Sequence, residues 1–413
     1  MPPLGAGVDF LEEPLAVFGA LLVGGALVAG LARRSFLSLT AAFVVAGFLL
    51  GQGGLEVLDF DPHSGFVQGL AVIALILILF RDGLDVDEEM LQRAWHLPLR
   101  NLVLAMPLTA GLVALLTHIV TDLGWTESFL VGALLSPTDP VLSSTVVNNP
   151  RVPRIIRHSL NLESGLNDGL ALPAVLALVA ALEQDTDFVW WEFVLRDVGF
   201  GFATGIAVAF VASRVMPRTT GLGAEISAHQ KSLYGLGVAF AAYGLAVLPP
   251  EGNGLIAVFV AAIALGIWRP DIGECFEARS EDIIEVVKLG VFLVFGATLT
   301  LDGLFEDGWA AVAIAAFTLL IARPVAVFAA TAGSRQVNTL GKAFMAWFGP
   351  KGVATMTFAL FVLGSEVAEG ARIANLAALV VFVSIIAHGL TDHPGSEWMA
   401  RRAEREPEPA TAA

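Results

Sequence analysis

The 413 residues are 56% hydrophobic and only 15% charged, with a mean hydropathy of +0.75. A soluble fold of this length has no use for so much apolar surface, so the composition excludes an ordinary globular domain and points to an all-α polytopic membrane protein. The formal net charge is −16 and no basic patch occurs, which argues against a nucleic-acid partner.

Lysine occurs only as Lys231, Lys288, Lys342 and Lys351, so arginine carries nearly all the positive charge. An acidic, lysine-poor chain fits a high-salt habitat or, equally, a GC-rich genome with acidic loops. The single Cys275 leaves the redox compartment open. Asp9, Glu12 and Glu13 precede the first apolar run. That is the wrong charge for a cleavable signal peptide, so the first span is expected to be retained.

In chain order, about thirteen apolar runs approach the ~20 residues that cross a hydrocarbon core. Their limits are 14–32, 36–51, 66–82, 97–119, 126–147, 158–182, 193–215, 232–249, 254–269, 283–301, 309–331, 341–364 and 371–391. Cations follow the odd-numbered runs, among them Arg33, Arg34, Arg81, Arg151, Arg154, Arg214, Arg218, Arg269, Arg335, Arg401 and Arg402. Acids follow the even-numbered ones, among them Glu56, Asp122, Glu183, Glu251, Asp302, Asp307, Glu366 and Glu369, with Arg372 nearly the only cation. The positive-inside rule then places the N-terminus outside and the C-terminus in the cytoplasm of a cell-membrane protein. The connections 83–96, 216–231 and 270–282 are read as short cytoplasmic loops. Residues 1–400 form one transmembrane unit, and 401–413 form a short cytoplasmic tail expected to be disordered.

Two runs are interrupted. Run 5 carries Pro137 and Pro140 around Thr138 and Asp139, and run 12 carries Gly349-Pro350-Lys351-Gly352. Proline removes a helical backbone bond and glycine lets the chain leave helical geometry. Such backbone at membrane depth is tolerated where protein or water satisfies it. Runs 5 and 12 stand seven apart, the spacing of two inverted six-span repeats joined by a linker span, with discontinuous helices meeting at the midplane. Ordinary proline kinks are the bland alternative.

Charges sit beside these breaks. Asp139 lies about a dozen residues into run 5, and Asp168 about ten into run 6, both near the midplane at ~1.5 Å per residue. A carboxylate there costs roughly 2.5–3.5 kcal/mol on insertion scales and marks a functional site by default. Ser164 and Asp168 share one helical face, and Glu163 and Asn167 the neighbouring one. A hydroxyl and a carboxylate on one face are hard oxygen ligands suited to an alkali cation. Arg323 in run 11 is the candidate partner of Glu163, read as a structural pair. Lys351 is the candidate counterpart of Asp139 and of the exposed helix ends. No intramembrane cation is left for Asp168, which is therefore read as functional. His388 packs or senses pH, Lys288 pairs with Glu285, and Asp197 pairs with Arg196. Trp190, Trp191 and Trp309 suit an interfacial aromatic belt.

Together, the TDP of run 5, the ESGLND of run 6, the arginine before proline of run 11 and the GPKG of run 12 resemble the monovalent cation/proton antiporter family, in its prokaryotic NhaP-type sodium/proton exchanger branch. The resemblance covers essentially the whole chain. It implies an NhaA-like antiporter fold and a homodimer. A core domain of spans 4–6 and 11–13 would carry its site across the membrane in an elevator motion, against a dimerisation domain of the remaining spans. It implies that Asp168 binds either cation or proton, and that Asp139, Ser164 and the Thr138 backbone complete the Na⁺ site beside Asn167. It implies that Glu163 and Arg323 form a structural ion pair. Lys351 stands where arginine is more usual, which keeps the charge and changes the donor geometry. Members with Asn-Asp at 167–168 tend to exchange one for one.

The expected activity is electroneutral Na⁺(Li⁺)/H⁺ antiport serving pH homeostasis and sodium tolerance. K⁺/H⁺ antiport on the same fold, or a gated cation channel, are the alternatives. No cofactor beyond the transported ions is expected. No nucleophile–base set and no metal cluster occurs, so no enzyme is expected.

Overall fold

A computed structural model describes residues 14–24, 39–84, 86, 96–139, 146, 149–184, 188–217, 226–249, 251–334 and 336–405. The acidic N-terminus, Arg33, Arg34, Pro140, Arg218, Arg335 and the tail beyond Arg405 lie outside them.

Among the described residues every regular element is helical. In chain order these are α1 (Pro14–Gly24), α2 (Leu39–Leu50), α3 (Gly65–Leu84), α4 (Leu97–Val120), α5 (Trp125–Leu134), α6 (Arg154–Gln184) and α7 (Trp190–Val215). They continue with α8 (Ala228–Ala246), α9 (Gly254–Trp268), α10 (Pro270–Ala297), α11 (Trp309–Ala330), α12 (Thr339–Trp347), α13 (Val353–Leu363) and α14 (Gly370–Arg405). Six of them are long and apolar enough to cross a bilayer alone, and up to seven if α9 and α10, bent by 119°, count as one. Part of the shortfall against thirteen expected spans has a physical source: the interrupted runs yield the half-length α5, α12 and α13, while residues 25–38 of runs 1 and 2 lie outside the described residues.

Residues 270–282 are not a loop: they are the first turns of α10. Ile272, Phe276, Ser280 and Ile284 recur every four residues on its buried face, while Glu274, Glu277, Glu281 and Asp282 are exposed. Ser280 meets Ser232 of α8 at 3.0 Å between hydroxyls.

The helices pack in two groups. One joins α4, α5, α6, α11, α12, α13 and α14; the other joins α2, α3, α7, α8, α9 and α10. In lipid, helices associate by close packing rather than by expelling water, so small residues sit at the contacts. A Cβ on Gly47 of α2 would fall 2.2 Å from the Leu293 carbonyl of α10, and one on Gly296 would fall 2.2 Å from the Val44 carbonyl. Outside these contacts, Val103, Leu104, Ile119, Leu195, Phe202 and Val211 point outward from α4 and α7, as side chains facing acyl chains do. Trp190, Trp191 and Trp309 are exposed as well.

At the end carrying the acidic connections, Arg372 at the start of α14 binds three acids. Its Nε donates to Asp307 Oδ2 at 3.1 Å, Nη2 reaches both Asp307 and Asp122, and Nη1 lies 3.5 Å from Glu369. Arg196, expected to close on Asp197, pairs instead with Glu251, while Lys288 and Glu285 do pair at 2.8 Å. The Asp307 side chain is only 6% exposed and that of Asp122 86%. Arg372→Ala is therefore expected to cost roughly 3 kcal/mol, because it strands a buried carboxylate. Asp122→Ala is expected to leave stability nearly unchanged, since exposed ion pairs contribute little. Thermal unfolding of the two variants in detergent measures the contrast.

Candidate functional site

The site forms where the two interrupted spans cross. Helix α5 stops at Leu134, and Pro137, which has no N–H, keeps the following backbone out of helix. On the other span α12 stops at Trp347 and α13 starts at Val353, with Gly352 at φ −156°, ψ −125°. The unwound segments touch directly, the Asp139 N–H donating to the Pro350 carbonyl at 2.8 Å.

Each segment also terminates the other's helix. Asp139 Oδ2 accepts from the Val353 N–H at 2.9 Å, placing a carboxylate at the positive N-terminus of α13. The Lys351 ammonium, fully buried, donates to the carbonyls of Ser136 at 3.0 Å and Pro137 at 2.9 Å, just beyond the negative end of α5. Thr355 Oγ1 donates to the Leu134 carbonyl at 3.0 Å. The exposed helix ends are thus matched by an acid and a base exchanged between the two spans.

The glycines of GPKG are explained by contact. A Cβ on Gly352 would lie 2.3 Å from Asp139 Oδ2, and one on Gly349 2.0 Å from the Arg323 guanidinium. Any larger residue displaces one of those charges.

Helix α6 carries the remaining groups. Asn167 Nδ2 donates to both the Thr138 carbonyl, at 2.8 Å, and Thr138 Oγ1, at 2.9 Å. A carbonyl only accepts, so this position needs a donor, which an aspartate carboxylate would not supply. Ser164 Oγ stands 3.4 Å from Thr138 Oγ1. Asp168, one turn beyond Ser164, is buried, and its Oδ1 has no hydrogen-bond partner among the described residues.

On the neighbouring face Glu163 is held twice. Arg323 Nη1 donates to Oε1 at 2.8 Å and Asn101 Nδ2 to Oε2 at 2.9 Å. Both partners adjoin π-helical turns, Asn101–Ala105 in α4 and Thr318–Ala322 in α11. Such turns often occur at functional sites. Arg323 Nη2 continues to the Met345 carbonyl at 3.3 Å.

Two participants were not among the sequence candidates. Asn101 is neutral and stands near the start of run 4, where its local sequence marks nothing. Asp82 follows an arginine counted among the loop cations. It is buried at the end of α3, receives Arg81 Nη2 at 2.6 Å and Nε at 2.9 Å, and lies within electrostatic range of Asp139, Asp168 and Lys288. The signal was an acid at the very end of an apolar run. His388 is buried with both ring nitrogens engaged.

Two interrupted helices capping one another inside a helical membrane protein, beside a buried carboxylate whose Oδ1 meets no hydrogen-bond partner among the described residues, define a class: carriers built on discontinuous helices. Residues 19–397 match the family described as sodium/hydrogen exchanger, transmembrane, and the chain belongs to that family. It is 24% identical over 97% of its length to the K(+)/H(+) antiporter NhaP of Alkalimonas amylolytica. It is equally identical over 90% of its length to the K(+)/H(+) antiporter NhaP2 of Shewanella baltica (strain OS223), and over 92% to the Na(+)/H(+) antiporter NhaG of Bacillus atrophaeus. It spans 69%, 64% and 74% of those proteins in turn. The structure of the sodium proton antiporter MjNhaP1 from Methanocaldococcus jannaschii superposes with a TM-score of 0.79, at 19% identity, over 95% of this chain and 99% of that one. The fold is therefore shared with that protein, and the family is one of transporters rather than enzymes.

The close contacts at GPKG yield a prediction. Gly349→Ala and Gly352→Ala are each expected to lower stability by about 1–3 kcal/mol, as overpacking does. Gly165→Ala, with nothing within 4 Å of its added Cβ, is expected to leave stability unchanged. Thermal unfolding in detergent compares the three.

Proposed function

We propose that this protein is a secondary-active antiporter exchanging a monovalent cation for a proton at Asp168. The observation that carries the reading is the Asp168 carboxyl group. It is buried near the crossing, and its Oδ1 accepts no hydrogen bond among the described residues. A charge held there is costly, and either a proton or a bound cation removes that cost. Only the neutralised site then crosses the low-dielectric barrier readily. Since proton and cation compete for one group, protons moving down their gradient drive the cation the other way.

Thr138, Ser164 and Asp139 are the proposed companions of Asp168 in holding the ion, with Asn167 fixing Thr138. Glu163 and Arg323 serve as scaffold, and Lys351 offsets the end of α5. The proposed setting is a cell membrane crossed thirteen times, N-terminus outside and C-terminus in the cytoplasm. Spans 4–6 and 11–13 move as the core against the remaining spans, which join two copies in a homodimer. The denser packing within each helix group than between them supports this division.

For the cation we propose Na⁺ or Li⁺. Exchange is one for one, since Asn167 does not titrate and Asp168 is the main proton carrier. The K⁺/H⁺ reading stands beside it because the NhaP and NhaP2 relatives carry that name. A gated channel is the reading from another class, and it would show cation flux unlinked to protons.

Proteoliposomes with an internal pH probe test the proposal. Na⁺ or Li⁺ added outside is expected to release internal protons at a rate insensitive to a clamped membrane potential. Asp168→Asn is expected to lose at least about 100-fold of that rate. Response to K⁺ alone would transfer the reading to K⁺/H⁺ exchange. A strong voltage dependence would sink electroneutrality, and full activity in Asp168→Asn would sink the mechanism.

A further inference from the structure

The break in the α12–α13 span leaves backbone groups that helix would have satisfied, and only some of them meet α5. On the opposite side the unwound segment lies against α14, where Ser384, His388 and Thr391 form one stripe at i, i+4 and i+7. The Lys351 N–H donates to Ser384 Oγ at 2.8 Å. His388 Nε2 lies 2.8 Å from the Trp347 carbonyl, the last residue of α12, and Trp347 Nε1 donates to Thr391 Oγ1 at 3.0 Å. Ser384 and His388 are 0% and 2% exposed, and the Trp347 and His388 rings stack at 5.1 Å.

Both ring nitrogens of His388 face carbonyls, Nε2 that of Trp347 and Nδ1 that of Ser384, each at 2.8 Å. A carbonyl can only accept, so a ring protonated on both nitrogens donates to both, and a neutral ring donates to one of them. Nδ1 also lies 3.1 Å from the Ser384 hydroxyl, whose oxygen accepts the Lys351 N–H at 2.8 Å. One run of contacts thus leads from the Lys351 N–H through Ser384 Oγ and the His388 ring to the Trp347 carbonyl. It ties together both edges of the unwound segment, residues 347 and 351.

From this geometry we propose that Ser384 and His388 are positioning residues of the transport site. They hold the Trp347–Lys351 backbone so that the Lys351 ammonium stays on Ser136 and Pro137 and the Pro350 carbonyl stays on Asp139. They touch neither cation nor proton carrier. Their effect reaches Asp168 and Thr138 through the neighbouring unwound segment. The transport half of this inference rests on the antiport reading above; the bracing half does not.

Two measurements on full-length protein separate the halves. The first is amide hydrogen exchange in detergent on wild type, Ser384→Ala, Ser384→Thr, His388→Ala and His388→Gln. Ser384→Ala is expected to speed exchange at least about tenfold in peptides covering 347–353, with a smaller rise over 134–139 and none in α9. Ser384→Thr keeps the hydroxyl and is expected to restore protection. His388→Gln, which can still donate to Trp347, is expected to fall between wild type and His388→Ala. Unchanged protection of 347–353 in Ser384→Ala overturns the brace, whatever the transport result. If His388→Ala fails to fold, the serine pair carries the test.

The second is proton release in proteoliposomes against graded Na⁺ and K⁺. Ser384→Ala is expected to raise the half-saturating cation concentration about tenfold, equivalent to about 1.4 kcal/mol. Its maximal rate is expected to stay within about twofold, and Ser384→Thr is expected to restore affinity. A loss of rate at unchanged affinity overturns the positioning role. Inactivity of the wild type itself would count against the antiport reading, and the brace would still be decided by amide exchange.

Discussion

The structure depends on one exchange of charge between two interrupted helices. Ending a helix inside a membrane strands carbonyls at one end and N–H groups at the other, with no water to take them. Here α5 ends on carbonyls that receive the Lys351 ammonium, and α13 begins on an N–H that meets the Asp139 carboxylate. Each span lends its charge to the other's break, so neither break is stable without its counterpart. The Asp139–Pro350 backbone bond then fixes the distance between them. This mutual dependence explains why the two unwound segments must cross, and why two of the GPKG residues are glycine: a side chain at 349 or 352 would occupy the space of Arg323 or Asp139.

Much of this was legible in the chain because the devices are chemically loud. Proline and glycine inside apolar runs announce a break, and Glu163 and Arg323 announce a pair because no charge survives alone at that depth. What stayed hidden was quiet or disguised. Asn101 is uncharged, and nothing in its local sequence separates it from a span boundary, yet it supplies the second bond to Glu163. Asp82 was masked by Arg81 beside it, since a paired charge at a span end reads as the start of a loop. Residues 270–282 read as a loop because of their acids. Only the four-residue recurrence of Ile272, Phe276, Ser280 and Ile284 shows that those acids line the outer face of a helix. Span number was the least legible feature for the same reason that the breaks were the most: an interrupted span is two short helices, and length ceases to count crossings.

Asn167 shows how a reading of the letter alone can rest on half the chemistry. Its inability to titrate is visible in the letter alone. Its two donated bonds to Thr138 are not, because they depend on where the TDP segment passes relative to α6. An aspartate in this position would face a carbonyl with a carboxylate, so the residue that leaves Asp168 as the proposed proton carrier also fixes a proposed ion ligand.

The distribution of partners around the crossing distinguishes Asp168 from the other buried charges there. Glu163 has Arg323 and Asn101, Asp139 has the Val353 N–H, Asp82 has Arg81, and Lys351 has two carbonyls. Changing the charge of Glu163, Asp139 or Lys351 breaks a bond that holds two elements together, and a buried group stripped of its partner costs several kcal/mol. Asp168 differs in that its Oδ1 engages no hydrogen bond among the described residues, so that oxygen can gain a proton or a cation without releasing a structural contact. A carrier must change charge at every turn and keep its shape while doing so. Under the proposed exchange at Asp168, that requirement is met by titrating a carboxylate that caps no helix end.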